Sequence, residues 1–267
     1  MRPQRPDRTR LLPWIATPLL VAALFLAWHL YVRLSGISGF ILPTPAQVWH
    51  AYTREVTTPA LWKHSWATVY ETIVGFAWAT VIGVALGTLI GRWRWLETTL
   101  NPLIVATQVV PKVALVPLFV VWFGFGPVSK VLLAAALAFF PILTNTVLGV
   151  KSVDLGHRDV MVALNAPRWK TFTRLELPSA LPYVLTGMEV GVVLAIIGAV
   201  VGEYLGGNSG LGYLLIAKMN AYETDSLFAV IIHLTLIGFA FYWLMGSARR
   251  LLIPWHESVL VERAGTP

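Results

Sequence analysis

The sequence predicts an all-α integral membrane protein with six transmembrane helices, and three observations support this fold class. Of its 267 residues, 57% are hydrophobic and only 12% are charged, which is too little charge to cover the surface of a soluble domain of this length. Six segments reach the length of about 20 apolar residues that a helix needs to cross a bilayer. These runs are continuously apolar, without the alternation of an outer-membrane barrel. Only a helix then satisfies its own backbone hydrogen bonds in lipid.

The six predicted spans form one membrane domain, residues 11–250, between a basic N-terminus (1–10) and a tail (251–267). The spans are Leu11–Val32, Trp66–Ile90, Leu100–Phe123, Val128–Val150, Pro182–Leu205 and Ser226–Ser247. Between the first two, Pro43 and Pro45 favour extended backbone at the residues before them, and AQVWHAY after them predicts a short amphipathic surface helix.

The positions of the basic residues predict the orientation. If the N-terminus is cytoplasmic, 14 of the 20 lysine and arginine residues lie in cytoplasmic segments, five lie outside and Lys112 lies within a span. This asymmetry is the positive-inside pattern, so we expect both termini in the cytoplasm of a bacterial inner-membrane protein. The net charge of +7 is then an orientation signal, and no nucleic-acid partner is expected.

A polar, basic insert at residues 151–181 separates the fourth and fifth spans. Asp154 and Asp159 precede short apolar runs, as helix N-caps or first-turn acids do, and Val160–Leu164 predicts a short helix. Asn165 follows where a helix would end in a left-handed residue. Apolar residues recur at helical spacing from there to Pro178, which predicts a second short helix with one apolar face.

The insert resembles the cytoplasmic EAA loop of ABC importer permeases, whose pattern is E-A-A-x₃-G-x₉-I-x-L-P. Aligning Leu177–Pro178 with the final L-P places Asn165 at the glycine and Asp159 at the glutamate. Aspartate keeps the charge, and asparagine keeps access to the left-handed conformation. Val160–Met161 replaces the two alanines, which is a departure from the pattern.

Other segments resemble the nitrate/sulfonate/taurine-type permeases of this group. They are LPTPAQV (42–48), PKVALVPLFVVWFGFGPVSK (111–130), FFPILTNTVLGV (139–150), LPSALPYVLTG (177–187) and GEYLGGNSGLGYLL (202–215). The resemblance implies a type I ABC importer permease fold. It also implies a homodimer with a separate ATP-binding subunit on each copy and an external substrate-binding protein.

The implied function is the passage of a small solute, such as a sulfonate, nitrate, taurine or a similar anion. A riboflavin- or thiamine-related vitamin or pyrimidine precursor is the alternative. In this reading a short helix of the insert docks on the ATPase and transmits its motion. The residues that the resemblance assigns to this coupling are Asp159, Val160, Ala163, Leu164, Asn165, Ala166, Arg168, Leu177 and Pro178.

The chain itself shows no signature of an enzyme. GFGPVSK (124–130) lacks the Gly-Lys-Ser/Thr ending of a phosphate-binding loop, no catalytic triad or HExxH motif is present, and the six histidines have no metal-ligand spacing. We therefore expect no catalytic residues, no cofactor and no metal. A stand-alone secondary transporter is a further alternative, but it predicts paired repeats and acidic coupling sites near the midplane.

Polar residues within the spans are candidates for the translocation path. Lys112 lies deep in the third span, with Gln108 one turn before it, and a charge at that depth normally faces a cavity or a partner. Lys112 either lines the path, where it favours anions, or pairs with Glu189 or Glu71. Glu189 and Glu203 are the other path candidates, with Glu203 as a gate, a packing contact or a substrate contact.

Glycines recur every four residues in the second span, at Gly83, Gly87 and Gly91. This spacing places them on one helix face and predicts close helix packing. Gly187 and Gly191 predict the same for the fifth span.

Overall fold

The computed structural model describes residues 12–255, with side chains from Ile15 onward. The predicted N-terminus (1–10), Leu11 and residues 256–267 of the predicted tail lie outside the described residues. Every regular element between residues 12 and 255 is a helix, as predicted. The bounds of the predicted domain and tail stay a prediction.

The α-helices of residues 12–255 alternate between long spans and short surface helices. They are α1 (Leu12–Ser35), α2 (Pro45–Val56), α3 (Pro59–Arg92), α4 (Arg94–Val109), α5 (Val116–Phe123), α6 (Pro127–Lys151), α7 (Leu155–Ala163), α8 (Arg168–Thr171), α9 (Leu177–Gly206), α10 (Leu211–Asn220) and α11 (Thr224–Leu252). A 3₁₀ turn, Lys112–Leu115, joins α4 to α5, and a π-helical segment, Phe172–Glu176, joins α8 to α9.

Glycines bring α3 and α6 into close contact. A Cβ added to Gly75 would lie 2.6 Å from the Cβ of Ala134, and a Cβ added to Gly87 would lie 2.6 Å from the Cβ of Thr146. Only glycine allows backbones to approach this closely, so the predicted packing role of the glycine repeat is confirmed. Gly75 meets Ala134 and, further along both helices, Gly87 meets Thr146, so α3 and α6 run parallel.

Helix α9 also packs on α6 and runs the other way. Gly198 of α9 meets Ala134 near the start of α6, whereas Gly187 meets Asn145 near its end. Helices α3, α6 and α9 pack against one another, and small residues of all three form the centre of the bundle.

The third predicted span is broken between Val109 and Lys112. Helix α4 is bent by 79° relative to the segment Lys112–Phe123, which contains the 3₁₀ turn and α5. Pro111 cannot donate a backbone hydrogen bond and disfavours helical geometry at the preceding residue. Val110 accordingly has an extended ψ of 124°.

The broken pair nevertheless crosses the bundle. Gly91 at the end of α3 meets Val150 at the end of α6, so the chain must return to Pro127, where α6 begins. The start and the end of α6 lie ~35 Å apart at 1.5 Å per residue, and this distance exceeds the hydrocarbon thickness of about 30 Å. The pair is thus a span with a break in it, and the count of six spans holds.

The ends of the described chain lie at the same end of the bundle. Helix α11 is antiparallel to α9, because Arg249 meets Glu189 while Gly238 faces Ile196. Trp28 of α1 stacks near Phe228 at the start of α11, with ring centroids 6.0 Å apart. We call the end where α11 finishes and α9 begins the α7 end, and the opposite one the α10 end; α1 begins at the α7 end.

The short helix α2 forms at the α10 end, as predicted for AQVWHAY. The Thr44 hydroxyl accepts a hydrogen bond from the Gln47 amide at 3.3 Å, and the Gln47 side chain accepts one from the Thr44 amide at 2.8 Å. This reciprocal capping box satisfies two backbone donors at the helix start. Val48 and Ala51 are buried, and the helix packs on α11.

A lysine ties α10 to α2 at this end. The Lys218 ammonium donates hydrogen bonds to Glu55 and to Glu223 at 2.7 and 2.8 Å. Burial lowers the pKa of Lys218, but the bonds and charges of the two carboxylates outweigh burial, so that its pKa lies above the ordinary value. Lys218 is therefore charged at neutral pH.

We expect Gly87→Ala to lower the free energy of unfolding by about 1–3 kcal/mol, the usual cost of overpacking. The new methyl group would meet Thr146 and the carbonyl oxygen of Leu143, 2.9 Å away. Gly238→Ala is the matched control, because an added Cβ there meets only Ile196 at 3.9 Å. Thermal unfolding in detergent measures both variants, and equal midpoints for the two would contradict the packing role of Gly87.

Candidate functional site

The first helix of the insert, α7, begins earlier than predicted. The Asp154 carboxylate accepts hydrogen bonds from the amides of Gly156 (2.7 Å) and His157 (3.3 Å), so Asp154 is the N-cap. Asp159 lies in the middle of α7 and is exposed. The prediction that Asp159 also starts a helix is wrong, because Leu155 already follows a complete cap.

Helix α7 ends in a left-handed residue, as predicted. Asn165 has a φ of 48°. Its amide donates to the carbonyl of Val162, and the amide of Ala166 donates to the carbonyl of Met161, both at 2.9 Å. This pair of bonds is the Schellman motif, and it reverses the chain between α7 and α8.

The surface of α7 exposes apolar side chains at the α7 end of the bundle. Leu155, Val162 and Leu164 are each more than 70% exposed, and no residue of α7 is buried. Such side chains on a short helix outside the spans fit a protein interface. The candidate coupling residues fall on this surface or just after it: Asp159, Val160, Ala163, Leu164, Asn165, Arg168 and Leu177 are exposed, and Ala166 and Pro178 are half-buried.

The second helix of the insert is continuous with the fifth span, which the sequence did not predict. Helical structure runs from Arg168 to Gly206, and the segment Phe172–Glu176 within it is π-helical. The amide of Leu177 bonds to the carbonyl of Phe172, five residues back. Pro178 cannot donate to Arg174, and the wider turn before it accommodates this loss without ending the helix.

A buried carboxylate joins the insert to the spans. Glu176 lies 3.0 Å from the Arg92 guanidinium at the end of α3 and 3.8 Å from that of Arg158 in α7. It therefore connects α7, α3 and the start of α9. The sequence analysis missed these three residues. The only signal was an acid between Leu175 and Leu177 in an otherwise apolar strip.

Lys112 lies at the break in the third span, and its ammonium is held by uncharged groups. It donates to the carbonyl of Gln108 at 3.3 Å and lies 4.5 Å from the ring centroid of Phe140. Carbonyl dipoles and aromatic faces both stabilise a cation. Gln108 itself is exposed.

The alternative ion pairs of Lys112 are not formed. Glu189 pairs with Arg249 at 3.0 Å, and Glu71 pairs with Lys130 at 3.6 Å. Both carboxylates that were candidate partners of Lys112 are therefore taken by other cations. Glu189 is half-buried, beside a cavity of about 100 Å³ at the α7 end.

Glu203 is enclosed at the α10 end and holds the start of α10. Its carboxylate accepts hydrogen bonds from the Thr68 hydroxyl at 2.6 Å and from the Gly212 amide at 2.7 Å. The same hydroxyl accepts a bond from the Leu211 amide at 2.8 Å. Gly210 precedes α10 with a φ of 100° and approaches the Glu203 side chain so closely that a Cβ would overlap it. This geometry favours the packing alternative for Glu203.

Lys130 completes this buried cluster. Its ammonium lies 3.6 Å from Glu71 and donates to the carbonyl of Phe125 at 3.2 Å, and Lys130, Glu71 and Glu203 are each 1% exposed. Among residues 12–255, no group of three or more histidine or carboxylate side chains is placed to hold a metal ion.

Comparison with known proteins identifies relatives along most of the chain. Residues 79–253 match the sequence model of the family described as "Binding-protein-dependent transport system inner membrane component". The riboflavin transport system permease protein RibX of Chloroflexus aurantiacus is 38% identical over 246 residues, covering 92% of each chain.

Two further relatives cover nearly the whole chain. The formylaminopyrimidine transport permease protein ThiX of Halalkalibacterium halodurans is 35% identical over 239 residues, or 90% of this chain and 95% of that protein. The putative aliphatic sulfonates transport permease protein SsuC of Bacillus subtilis is 31% identical over 255 residues, or 96% and 92%.

A solved structure shares the fold. A chain of the MetNI methionine ABC transporter, in an inward-facing conformation, superposes with a TM-score of 0.61 at 18% identity. The match covers 72% of this chain and 95% of that one. The predicted type I importer permease fold is confirmed.

Proposed function

Because the chain belongs to the binding-protein-dependent transport system inner membrane component family, we propose that its α7 unit couples solute transport to ATP hydrolysis in a separate subunit. The protein is a permease of the ABC importer class, and this membership decides against a stand-alone secondary transporter. We infer that the permease itself catalyses no reaction, and that ATP is hydrolysed by the separate subunit.

The observation that carries the coupling proposal is the construction of the α7 unit, which consists of α7, the reversal at Asn165 and α8. Its helix is capped at Asp154, closed by a Schellman motif and exposed along an apolar surface. Glu176 ties it to α3 and α9. A force on α7 would therefore reach two spans directly. We assign this contact to the candidate coupling residues Asp159, Val160, Ala163, Leu164, Asn165, Ala166, Arg168, Leu177 and Pro178.

We assign the α7 end to the cytoplasm. The basic residues described at this end are Arg92, Arg94, Lys151, Arg158, Arg168, Lys170, Arg174, Arg249 and Arg250. Only Arg33, Arg54, Lys63, Lys130 and Lys218 lie at the other end within residues 12–255. The positive-inside rule supports an inner-membrane protein with both termini cytoplasmic. An external binding protein would then meet the α10 end.

A second copy of the chain is proposed to cover α4. No residue of α4 or of the 3₁₀ turn is buried, and Leu103 and Val109 are strongly exposed. Lipid would suit these two residues, but the exposed amide of Gln108 lies on the same helix, and an exposed polar group is costly in lipid. A homodimer that encloses the path between two α4 surfaces accounts for both the apolar residues and the Gln108 amide, because neither then requires that α4 face lipid alone.

Two substrate classes are compatible with the path. The relatives with the higher identities are named for riboflavin and formylaminopyrimidine transport, which favours a heterocyclic vitamin precursor. The Lys112 ammonium beside an open helix face favours a small anion such as a sulfonate, taurine or nitrate. Calorimetric titration of the cognate binding protein with these compounds distinguishes the two classes.

Copurification tests the coupling proposal. We expect a tagged permease to retain its ATP-binding subunit through purification, and we expect Asp159→Lys to weaken this association because it reverses a charge on exposed α7. Asp154 is left intact, so the helix keeps its cap. Failure of the ATPase to copurify, together with normal uptake by Asp159→Lys, would rule out the proposed contact.

Lys112→Met tests the path. We expect uptake to fall about tenfold, because the substitution removes the only charged side chain at the break in α4–α5, and a misplaced or missing polar contact of this kind typically costs 1–3 kcal/mol. Lys63→Met, which removes an exposed lysine near the start of α3, is the matched control. Radiolabelled uptake with assembly verified is the measurement, and wild-type uptake by Lys112→Met would reject the path role.

A further inference from the structure

A cavity of about 640 Å³ opens between the end of α3 and the start of α8. We call it the α3–α8 cavity. Its walls combine two arginines with three aromatic rings and a hydroxyl, from Arg92, Arg168, Trp93, Trp169, Phe172 and Thr88.

The cavity is positively charged. Arg92 and Arg168 line it, and no carboxylate is among its lining residues. The Arg92 guanidinium is fixed in place, 5.0 Å from the ring centroid of Phe172 and 3.0 Å from Glu176 behind the wall. Arg168 is exposed and forms no ion pair within residues 12–255. The planar guanidinium group of arginine presents a fork of donors that binds two oxygens of a phosphate, and two such groups line this cavity.

The level of the cavity indicates where its ligand comes from. Thr88 and Leu89 belong to the last turns of the apolar helix α3, so the inner wall reaches the edge of the hydrocarbon region. Trp93 and Trp169 form the rim, and both are more than half exposed. Tryptophan prefers this interfacial level. The ligand must therefore carry an anionic group at the membrane surface and continue into an apolar region.

We propose that the α3–α8 cavity binds the phosphate headgroup of an anionic phospholipid, with the acyl chains along α3. Basic pockets between helices on the cytoplasmic side of a membrane recognise such headgroups. The bound phosphate would share Arg92 with Glu176, the carboxylate that connects α7 to α3 and α9. The lipid would thus stabilise the junction beneath the α7 unit. This inference goes beyond solute transport and is independent of the substrate.

Native mass spectrometry of the full-length permease with its ATPase subunit tests this site. The detergent-solubilised complex is titrated with phosphatidylglycerol and, separately, with phosphatidylcholine. We expect phosphatidylglycerol to be retained preferentially, and its retention to fall about fivefold in Arg168→Gln and in Arg92→Gln. Arg174→Gln is the matched control, because Arg174 is exposed on the neighbouring π-helical segment and does not line the cavity.

Arg168→Gln decides the result if Arg92→Gln impairs folding through the loss of its Glu176 contact. Because Arg168 is also a candidate coupling residue, lipid retention by this variant is measured in the isolated permease as well as in the complex. Equal retention in Arg168→Gln and the wild type would overturn the proposal, as would an equal loss in Arg174→Gln. Displacement of the lipid by millimolar inorganic phosphate would assign the cavity to a free anion. Displacement of lipid from the isolated permease by added ATPase subunit would assign it to the protein contact. Lipid retention is measured without ATP or transported solute, so the outcome does not depend on whether the complex transports a solute.

Discussion

Asn165→Val is expected to lower uptake at least tenfold while the protein remains folded in the membrane. Asn165 adopts a φ of 48° and donates its amide within the Schellman motif. A left-handed conformation costs a residue with a Cβ about 1–2 kcal/mol, and a β-branched side chain tolerates it least. Valine would therefore open the reversal between α7 and α8 and reorient the exposed surface of α7.

Asn165→Gly is the matched control, because glycine adopts this conformation without strain. The measurements are uptake and the stimulation of ATPase activity by the loaded binding protein in the reconstituted complex. We expect glycine to preserve both and valine to reduce both, with unchanged amounts of permease. Equal transport by the two variants would show that the reversal plays no part in coupling.

Lys130→Met is expected to cause the largest loss of stability, about 3–5 kcal/mol in the free energy of unfolding, the usual effect of removing one partner from a buried ion pair. Lys130 and Glu71 are each 1% exposed and 3.6 Å apart. Glu203 is also 1% exposed and accepts a hydrogen bond from Thr68, and the neighbouring Gly202 packs on the Lys130 side chain. Without the lysine, the two buried carboxyl groups of this cluster would lose the cation that is buried with them.

A double variant separates this charge effect from simple loss of packing. Glu71→Gln in the Lys130→Met background removes one of the two carboxyl groups, so we expect it to recover part of the lost stability. The Glu203 bonds to Thr68 and Gly212 remain in both variants. Thermal unfolding in detergent gives the comparison. If the double variant is no more stable than Lys130→Met, the loss of stability comes from changed packing and not from charge.

The insert at residues 151–181 shows which helix ends can be predicted from local turn preferences alone. Asn165 was placed correctly because a left-handed helix end depends on the residue itself and its immediate neighbours. The start of α7 was misplaced because Asp154 and Asp159 both precede apolar residues, and only the backbone amides decide which one caps. Pro178 and Pro182 predict helix boundaries, whereas in the structure a π-helical segment accommodates Pro178 and the helix continues through Pro182.

The third span shows a second limit of prediction from the sequence. Pro111 removes one backbone hydrogen-bond donor from this span, but the 79° bend depends on what packs on either side of it. Helix α5 packs on α6, while α4 has no buried residue. The direction of the chain after a break is therefore set by neighbouring helices.

The sequence by itself determined the six spans, the packing role of the glycines and the reversal at Asn165. Each follows from hydropathy, small side chains or turn preference over a few neighbouring residues. Only the tertiary structure decided which charges meet. Lys130 pairs with Glu71, Arg92 with Glu176 and Arg249 with Glu189, while Lys112 rests on Phe140. These partners are distant along the chain or on different helices. Which charges pair depends on the free-energy cost of burying each charge, and that cost depends on its neighbours in three dimensions.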